Sequence, residues 1–88
     1  MLLAGRGVEE TRIKERVRAL GLERNVIFLG VRTDIPDLMQ AMDIFVFPSK
    51  YEGLGIVLIE GQAAGLRCLT SAGAVPAVAK VTDNLEFI

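Results

Sequence analysis

The chain has 88 residues, enough for one domain and close to the lower limit at which a single hydrophobic core is stable. Its 10 basic and 11 acidic side chains give a formal net charge of −1 without a block of like charge, which disfavours binding to nucleic acid. One cysteine and no histidine exclude an internal disulfide and a zinc cluster, and no apolar run approaches the roughly 20 residues of a transmembrane helix. This composition predicts a cytoplasmic protein without a transmembrane segment.

Short apolar runs alternate with amphipathic stretches, which is typical of an α/β fold with a mainly parallel sheet. A strand is predicted at Leu2–Ala4, and a helix follows it because Ile13, Val17 and Leu20 recur at helical spacing. Gly21 can take the left-handed conformation that ends this helix.

The middle of the chain contains two further strands and a short helix. A buried strand is predicted at residues 25–29, and the helix after it contains Pro36 and is capped by Thr33 or Asp34. Residues 43–47 form the next strand, whose four consecutive apolar residues predict that both of its faces are covered.

The last third of the chain continues the alternation. A helix is predicted at residues 56–64, with Gly65 as its terminator, and a short strand follows at residues 68–70. The remaining elements are a weaker helix at residues 75–81 and a final strand at residues 86–88.

A candidate ligand site lies in residues 48–60, because this segment leaves the carboxyl end of a predicted parallel strand. Gly53 and Gly55 carry no Cβ, so their backbone can approach a phosphate, and the N–H groups that open the next helix are unpaired donors. Glu60 lies about five residues into that helix, roughly 7 Å along its axis, and can reach a ribose beside the phosphates. Glu52 precedes the helix and can accept hydrogen bonds from sugar hydroxyls.

Each of these features also has a purely structural interpretation. A Gly-Leu-Gly turn before a helix is common in α/β folds, and Glu60 is also compatible with a solvated side chain. Arg6 and Lys50 are compatible with phosphate contacts, but solvated loop charges are the simpler interpretation. Tyr51 is expected to pack against the end of the sheet, and Cys68 to be a buried apolar side chain without a reactive thiolate.

A specific motif emerges from the same segment. The residues that form it are Pro48-Ser49, Tyr51-Glu52-Gly53-Leu54-Gly55 and Glu60. They resemble the E-x7-E signature of retaining GT-B glycosyltransferases, of the glycosyl transferases group 1 or family 4 type. Flanking segments such as Gly5-Arg6-Gly7 and Ala63-Ala64-Gly65 agree, so the similarity spans nearly the whole chain. The departures are Arg67, where the family usually has proline, and Ala77, where glutamate commonly stands.

The resemblance implies a Rossmann-like, three-layer α/β/α fold and roles for individual residues. Glu52 would be the catalytic residue that binds the transferred sugar, and Glu60 would bind the ribose hydroxyls. The pyrophosphate would bind the backbone of Gly53, Leu54, Gly55 and Ile56, and the base would lie against Gly30 and Val31. The family transfers sugars with retention of configuration and generally without a metal, so no metal or other cofactor is expected beside the nucleotide-sugar substrate.

The resemblance also implies that residues 1–88 are a partial nucleotide-sugar-binding domain. In the family this domain begins with a further strand and a loop whose Arg and Lys neutralise the diphosphate, and a separate N-terminal domain binds the acceptor. In the strand order 3-2-1-4-5-6, the missing strand would lie between Leu2–Ala4 and residues 43–47. We therefore expect two open strand edges that pair directly, associate with another copy, or leave the chain weakly folded.

The predicted function is that of a parent enzyme which transfers a sugar from a nucleoside diphosphate sugar to a glycan, lipid or small-molecule acceptor. The parent is expected in the cytoplasm, with peripheral contact to the inner membrane through the missing domain. Two alternatives stay open: a nucleotide-sugar epimerase of related fold, and a noncatalytic nucleotide-binding or assembly module. A hydride-transfer dehydrogenase is disfavoured because Gly5-Arg6-Gly7 lacks the third glycine of the dinucleotide fingerprint.

Overall fold

The structure is a computed structural model that describes residues 1–88, and the chain divides into two units, Met1–Thr33 and Asp34–Ile88. Parallel strands alternate with helices in both units, which confirms the predicted α/β class. No helix has the length and apolar character required to cross a bilayer.

The first unit is a β-α-β motif. Its elements are β1 (Leu2–Ala4), α1 (Glu10–Ala19) and β2 (Ile27–Gly30). β1 and β2 are parallel, and Leu2 pairs with Ile27. Gly21 follows α1 with a φ of 67°, which confirms its predicted role at the end of the helix.

The side chains of this first unit are not enclosed. α1 contains no buried residue, and Ile27 on β2 is 54% exposed. The prediction of a buried strand at residues 25–29 is therefore wrong in two respects: the strand begins two residues later, and no residue in it is buried. One helix and two strands enclose too little apolar surface within the unit to form a core.

The second unit contains the other two helices and three strands. Its elements are α2 (Ile35–Gln40), β3 (Ile44–Phe47), α3 (Ile56–Ala63), β4 (Arg67–Thr70) and β5 (Leu85–Phe87). The strands form a parallel sheet in the order β3-β4-β5, in which Cys68 pairs with Phe45 on one side and with Leu85 on the other. Asp34 is the N-cap of α2 but makes no capping hydrogen bond through its side chain.

The hydrophobic core lies in the second unit, and its buried residues are Met39, Leu58, Leu66, Cys68, Val75, Ala79 and Leu85. α3 packs very closely on the sheet, because a Cβ at Gly61 would lie 2.9 Å from Sγ of Cys68 and 3.1 Å from Cδ2 of Phe45. The predicted burial of Cys68 is confirmed. Gly65 follows α3 with a φ of 81° and ends this helix as predicted.

β3 is not covered on both faces, so that prediction is wrong for the second unit. Phe45 and Phe47 point into the core, with ring centroids 6.0 Å apart. Ile44 and Val46 alternate with them and are 49% and 54% exposed. Apolar residues on both faces of the strand therefore do not imply that both faces are buried within this unit.

The segment before β5 also differs from the sequence-based expectation. Residues 75–81 form only a single 3-10 turn, Ala77–Ala79, in place of the predicted helix. The next backbone N–H groups, those of Val81 and Thr82, donate to the side-chain oxygen of Gln62 and therefore cannot continue a helix. The final strand begins at Leu85, one residue before the predicted start.

Each unit has its own sheet, and no continuous sheet in the family's full strand order forms. β1 has one strand partner, β2, and β3 has one strand partner, β4. Within its own unit, each of these two strands therefore has one edge without a strand partner. Association of two copies through these edges stays a prediction.

Candidate ligand-binding site

The loop of residues 48–55 leaves the carboxyl end of β3 and leads into α3. Two hydrogen bonds join the start of this loop to the end of the neighbouring strand. The Thr70 hydroxyl donates to the Phe47 carbonyl at 2.7 Å, and the Ser49 N–H donates to Oγ of Ser71 at 2.9 Å. The loop therefore begins at a fixed place at the carboxyl edge of the parallel sheet, where α/β folds bind ligands.

Both the backbone and the side chain of Glu52 form hydrogen bonds within the second unit. Its backbone N–H donates to the Ala74 carbonyl at 2.9 Å, and Oγ of Ser49 lies 3.3 Å from its Oε1. The same hydroxyl lies 3.0 Å from the Tyr51 carbonyl, so one proton serves two acceptors. The half-buried Glu52 carboxylate keeps most of its capacity to accept further hydrogen bonds.

Gly55 is the N-cap of α3 and has the left-handed conformation, with φ 75° and ψ 49°. Its carbonyl accepts from the N–H groups of Leu58 at 3.0 Å and Ile59 at 3.4 Å. The N–H groups of Ile56 and Val57 donate to no acceptor in the protein. These donors stand at the positive end of the helix dipole, which suits an anion such as a phosphate.

The two glycines of the loop have different surroundings. A Cβ at Gly53 would meet no atom within 4 Å. A Cβ at Gly55 would lie 3.4 Å from Leu58, 3.6 Å from Val75 and 3.7 Å from Ala79. Open space for the close approach of a ligand therefore lies at Gly53, whereas protein atoms surround Gly55.

Glu60 is the fifth residue of α3 and is exposed. Four residues of helical rise separate it from Ile56, which corresponds to about 6 Å along the axis. It forms no ion pair within the protein. Leu54 and Ile56, also predicted to bind the substrate, are 46% and 62% exposed. The second unit thus contains the two glutamates and the residues between them on one continuous loop and helix.

Gly30 and Val31 belong to the first unit. Gly30 ends β2, and its carbonyl accepts from the Gly5 N–H at 2.8 Å. The side chain of Val31 is 70% exposed. Nη2 of Arg6 lies 3.8 Å from the position of a Cβ at Gly30, so Arg6 extends along this strand end. Contact of Gly30 and Val31 with a base stays a prediction.

Two side chains near the loop were misjudged or missed by reasoning from the sequence. Tyr51 is 83% exposed, so the expectation that it packs against the end of the sheet is wrong. Gln62, which carried no prediction, is 3% exposed and uses its whole amide group in hydrogen bonds. The signal was its spacing, because Gln62 is a polar residue four positions after the buried Leu58 on the inward face of α3.

Known proteins are similar to this chain in sequence and in structure. The family model for glycosyl transferases group 1 matches residues 1–86. EpsF of Bacillus subtilis (strain 168) is 46% identical over 71 residues, which are 81% of this chain and 18% of that protein. The lipopolysaccharide core biosynthesis mannosyltransferase LpsB of Rhizobium meliloti (strain 1021) is 42% identical over 57 residues, 65% of this chain and 16% of LpsB.

A solved structure agrees with these relatives. The crystal structure of Anabaena HepE in complex with UDP-glucose matches with a TM-score of 0.81 and 30% identity, over 98% of this chain and 26% of the HepE chain. This similarity confirms the predicted Rossmann-like GT-B fold class. The chain spans less than a fifth of the length of these two curated relatives, at 18% and 16%. From the match over residues 1–86, the chain belongs to the glycosyl transferases group 1 family.

Proposed function

We propose that the protein carrying residues 1–88 transfers a sugar, with retention of configuration, from a nucleoside diphosphate sugar to a glycan, lipid or small-molecule acceptor. In this proposal the chain is a partial nucleotide-sugar-binding domain. The observation that carries the proposal concerns the backbone N–H groups of Ile56 and Val57, which have no acceptor in the protein. In the sequence, these two residues lie between the half-buried Glu52 and the exposed Glu60. Membership in the glycosyl transferases group 1 family supports the reaction class.

The donor's diphosphate is assigned to the turn at which α3 begins. Gly53 offers the open backbone, and the N–H groups of Ile56 and Val57 offer unpaired donors at the positive end of α3. The relative HepE was crystallised with UDP-glucose, and its match covers 98% of this chain, which supports a nucleotide-sugar ligand here. An Arg and a Lys from other parts of the protein are expected to balance the remaining phosphate charge.

The two glutamates of the E-x7-E spacing, Glu52 and Glu60, are assigned to opposite ends of the donor. Glu60 is exposed and free of ion pairs, so its carboxylate is available to accept from the two ribose hydroxyls. Glu52 is held by Ser49 and Ala74 and is assigned to the transferred sugar as the catalytic residue. A carboxylate held before the substrate arrives loses less conformational entropy when it binds a sugar hydroxyl.

The rest of the reaction is assigned to parts of the protein outside residues 1–88. An acceptor-binding domain is expected to supply the second substrate and any peripheral contact with the inner membrane. We expect turnover without a resident metal, because helix N–H groups and cationic side chains can stabilise the departing diphosphate.

Titration calorimetry of the intact protein with UDP, GDP and ADP tests this proposal. One nucleotide should bind saturably, and Glu60→Ala should weaken it at least tenfold, which corresponds to about 1.4 kcal/mol. Glu23→Ala, which removes an exposed carboxylate outside the site, is the matched control and should leave the affinity unchanged.

Absence of binding by all three nucleotides, or equal affinities for the wild type and Glu60→Ala, would overturn the donor-site assignment. Nucleotide binding without sugar transfer would favour the noncatalytic module. Interconversion of a nucleotide sugar with its epimer would favour the epimerase.

A further inference from the structure

Gln62 is the most extensively hydrogen-bonded side chain in the core of the second unit. It lies on α3 and is 3% exposed. Its Nε2 donates to the Leu58 carbonyl at 3.1 Å and to the Ala79 carbonyl at 2.8 Å. Its Oε1 accepts from the N–H groups of Val81 at 3.1 Å and Thr82 at 3.0 Å, and from the Thr82 hydroxyl at 3.1 Å. One amide group therefore joins α3 to the segment of residues 74–82.

The segment of residues 74–82 has little regular structure of its own. It contains one 3-10 turn, in which Ala79 N–H donates to Pro76 and Lys80 N–H donates to Ala77. Four of the five bonds of the Gln62 amide go to this segment. The bond to Ala79 is buried and the other three are partly buried. Their loss would leave polar groups of the segment without protein partners, and the segment would shift to regain water.

The same segment lies against the proposed diphosphate-binding turn, residues 52–57, at both Glu52 and Gly55. The Ala74 carbonyl accepts from the Glu52 N–H at 2.9 Å. Val75 and Ala79, both buried, lie 3.6 Å and 3.7 Å from the Cβ position of Gly55. The side chains of this segment therefore pack beside Gly55, and a shift of the segment would change the surroundings of its left-handed backbone.

We propose that Gln62 is a positioning residue for the donor diphosphate. It holds residues 74–82 against Glu52 and Gly55 and thereby sets the position of the backbone N–H groups that bind the phosphates. This inference rests on the proposed function, because it assigns the diphosphate to the turn at the start of α3. Gln62 does not touch the ligand. Its loss alters the N–H groups that bind phosphate while the ribose contact of Glu60 is retained, because Glu60 lies on regular helix beyond the turn.

The first test compares Gln62→Met with the wild type in the intact protein. Methionine has nearly the same length and shape but removes all of the amide hydrogen bonds. The probes are UDP and uridine, or the diphosphate and nucleoside of whichever base the protein prefers. We expect UDP affinity to fall at least fivefold and uridine affinity to change by less than twofold.

Leu85→Val is the matched control, because it disturbs the same core at a buried residue that makes none of these hydrogen bonds. It should leave the ratio of UDP to uridine affinity unchanged, since a general loss of stability lowers both affinities together. Thr82→Val removes one of the five bonds of the Gln62 amide, together with the bond that the Asn84 N–H donates to the same hydroxyl. It should give a smaller change in the same direction as Gln62→Met. This milder variant gives a result even if Gln62→Met does not fold.

Amide hydrogen exchange provides a readout that is independent of the nucleotide. In Gln62→Met or Thr82→Val, exchange at Val81 and Thr82 should accelerate, and so should exchange at Leu58 and Ile59, whose N–H groups donate to Gly55. Unchanged exchange at Leu58 and Ile59, or an equal loss of UDP and uridine affinity, would overturn the role of Gln62. Failure of the wild type to bind any nucleotide would overturn the proposed function, while the exchange data would still decide whether Gln62 orders the turn.

Discussion

The hydroxyl of Ser49 lies 3.3 Å from Oε1 of Glu52, three residues further along the loop that joins β3 to α3. The Ser49 backbone is itself bound to Oγ of Ser71 at the end of β4. The Glu52 carboxylate is thus connected to the end of β4 through the side chains of two serines, Ser49 and Ser71. The consequence for catalysis can be measured.

Ser49→Ala should lower turnover by the proposed sugar transferase about tenfold, because hydrogen bonds to charged groups contribute about 1.5–3 kcal/mol. The Michaelis constant for the donor should change by less. Release of the nucleoside diphosphate from the donor sugar is the measurement. Glu52→Gln should lower turnover further, and Ser49→Ala should add little to it, because both act on one carboxylate. Fully additive effects of the two substitutions would contradict the assignment.

Gly53→Ala and Gly55→Ala should have different effects: the first should lower ligand affinity, and the second should lower stability through backbone strain. Gly55→Ala should destabilise the protein by about 1–2 kcal/mol, because a residue with a Cβ is strained at a φ of 75°. Gly53→Ala should change stability by less than about 0.5 kcal/mol, since its Cβ would meet no atom within 4 Å. It should nevertheless weaken binding of the preferred nucleoside diphosphate. Urea unfolding and calorimetry measure the two effects, and unchanged nucleoside diphosphate affinity in Gly53→Ala would contradict the backbone contact.

Gly61→Ala should destabilise the protein by about 1–3 kcal/mol through overpacking, because its Cβ would lie 2.9 Å from Sγ of Cys68. Cys68→Ala removes that sulfur atom, so the double variant should be more stable than the sum of the two single changes predicts. A coupling of about 1 kcal/mol is expected for residues in contact. Gly7→Ala, where a Cβ would meet no atom within 4 Å, is the control. Additivity within about 0.3 kcal/mol would argue against the close contact.

Stability should decrease at alkaline pH because of Cys68. Burial raises the pKa of its thiol above the ordinary value of 9.0. As the pH rises through 9.0, the unfolded chain releases the thiol proton while the folded protein keeps it, so the free energy of unfolding falls. The fall continues until the pH passes the raised pKa of the folded state, with a slope of at most about 1.4 kcal/mol per pH unit.

Urea unfolding of the wild type and Cys68→Ala between neutral and alkaline pH isolates this contribution, because other titrating groups are common to both. The difference in stability between the two proteins should be constant below pH 9 and shrink above it. Parallel curves over the whole range would show that the thiol is not desolvated in the folded protein.

The sequence by itself determined the order and type of most elements. The end of α1 at Gly21 and the strand at Leu2–Ala4 follow from signals carried by adjacent residues. The glycine-rich turn and the spacing of Glu52 and Glu60 likewise identify the candidate site. These features are predictable because capping, helical periodicity and motif spacing each involve residues close together along the chain.

Tertiary structure alone decided which face of β3 is buried and which contacts hold the site. Val46 and Phe45 are both apolar, yet only Phe45 faces the core. Residues 75–81 do not form a helix, because the Gln62 side chain accepts the N–H groups of Val81 and Thr82, about 20 residues further along the chain. The hydrogen bond from the Ser49 N–H to Oγ of Ser71 joins the segments that follow two adjacent strands, β3 and β4. These contacts depend on which segments the parallel sheet brings side by side. Local sequence signals do not show which residues far apart in the chain become neighbours in the fold.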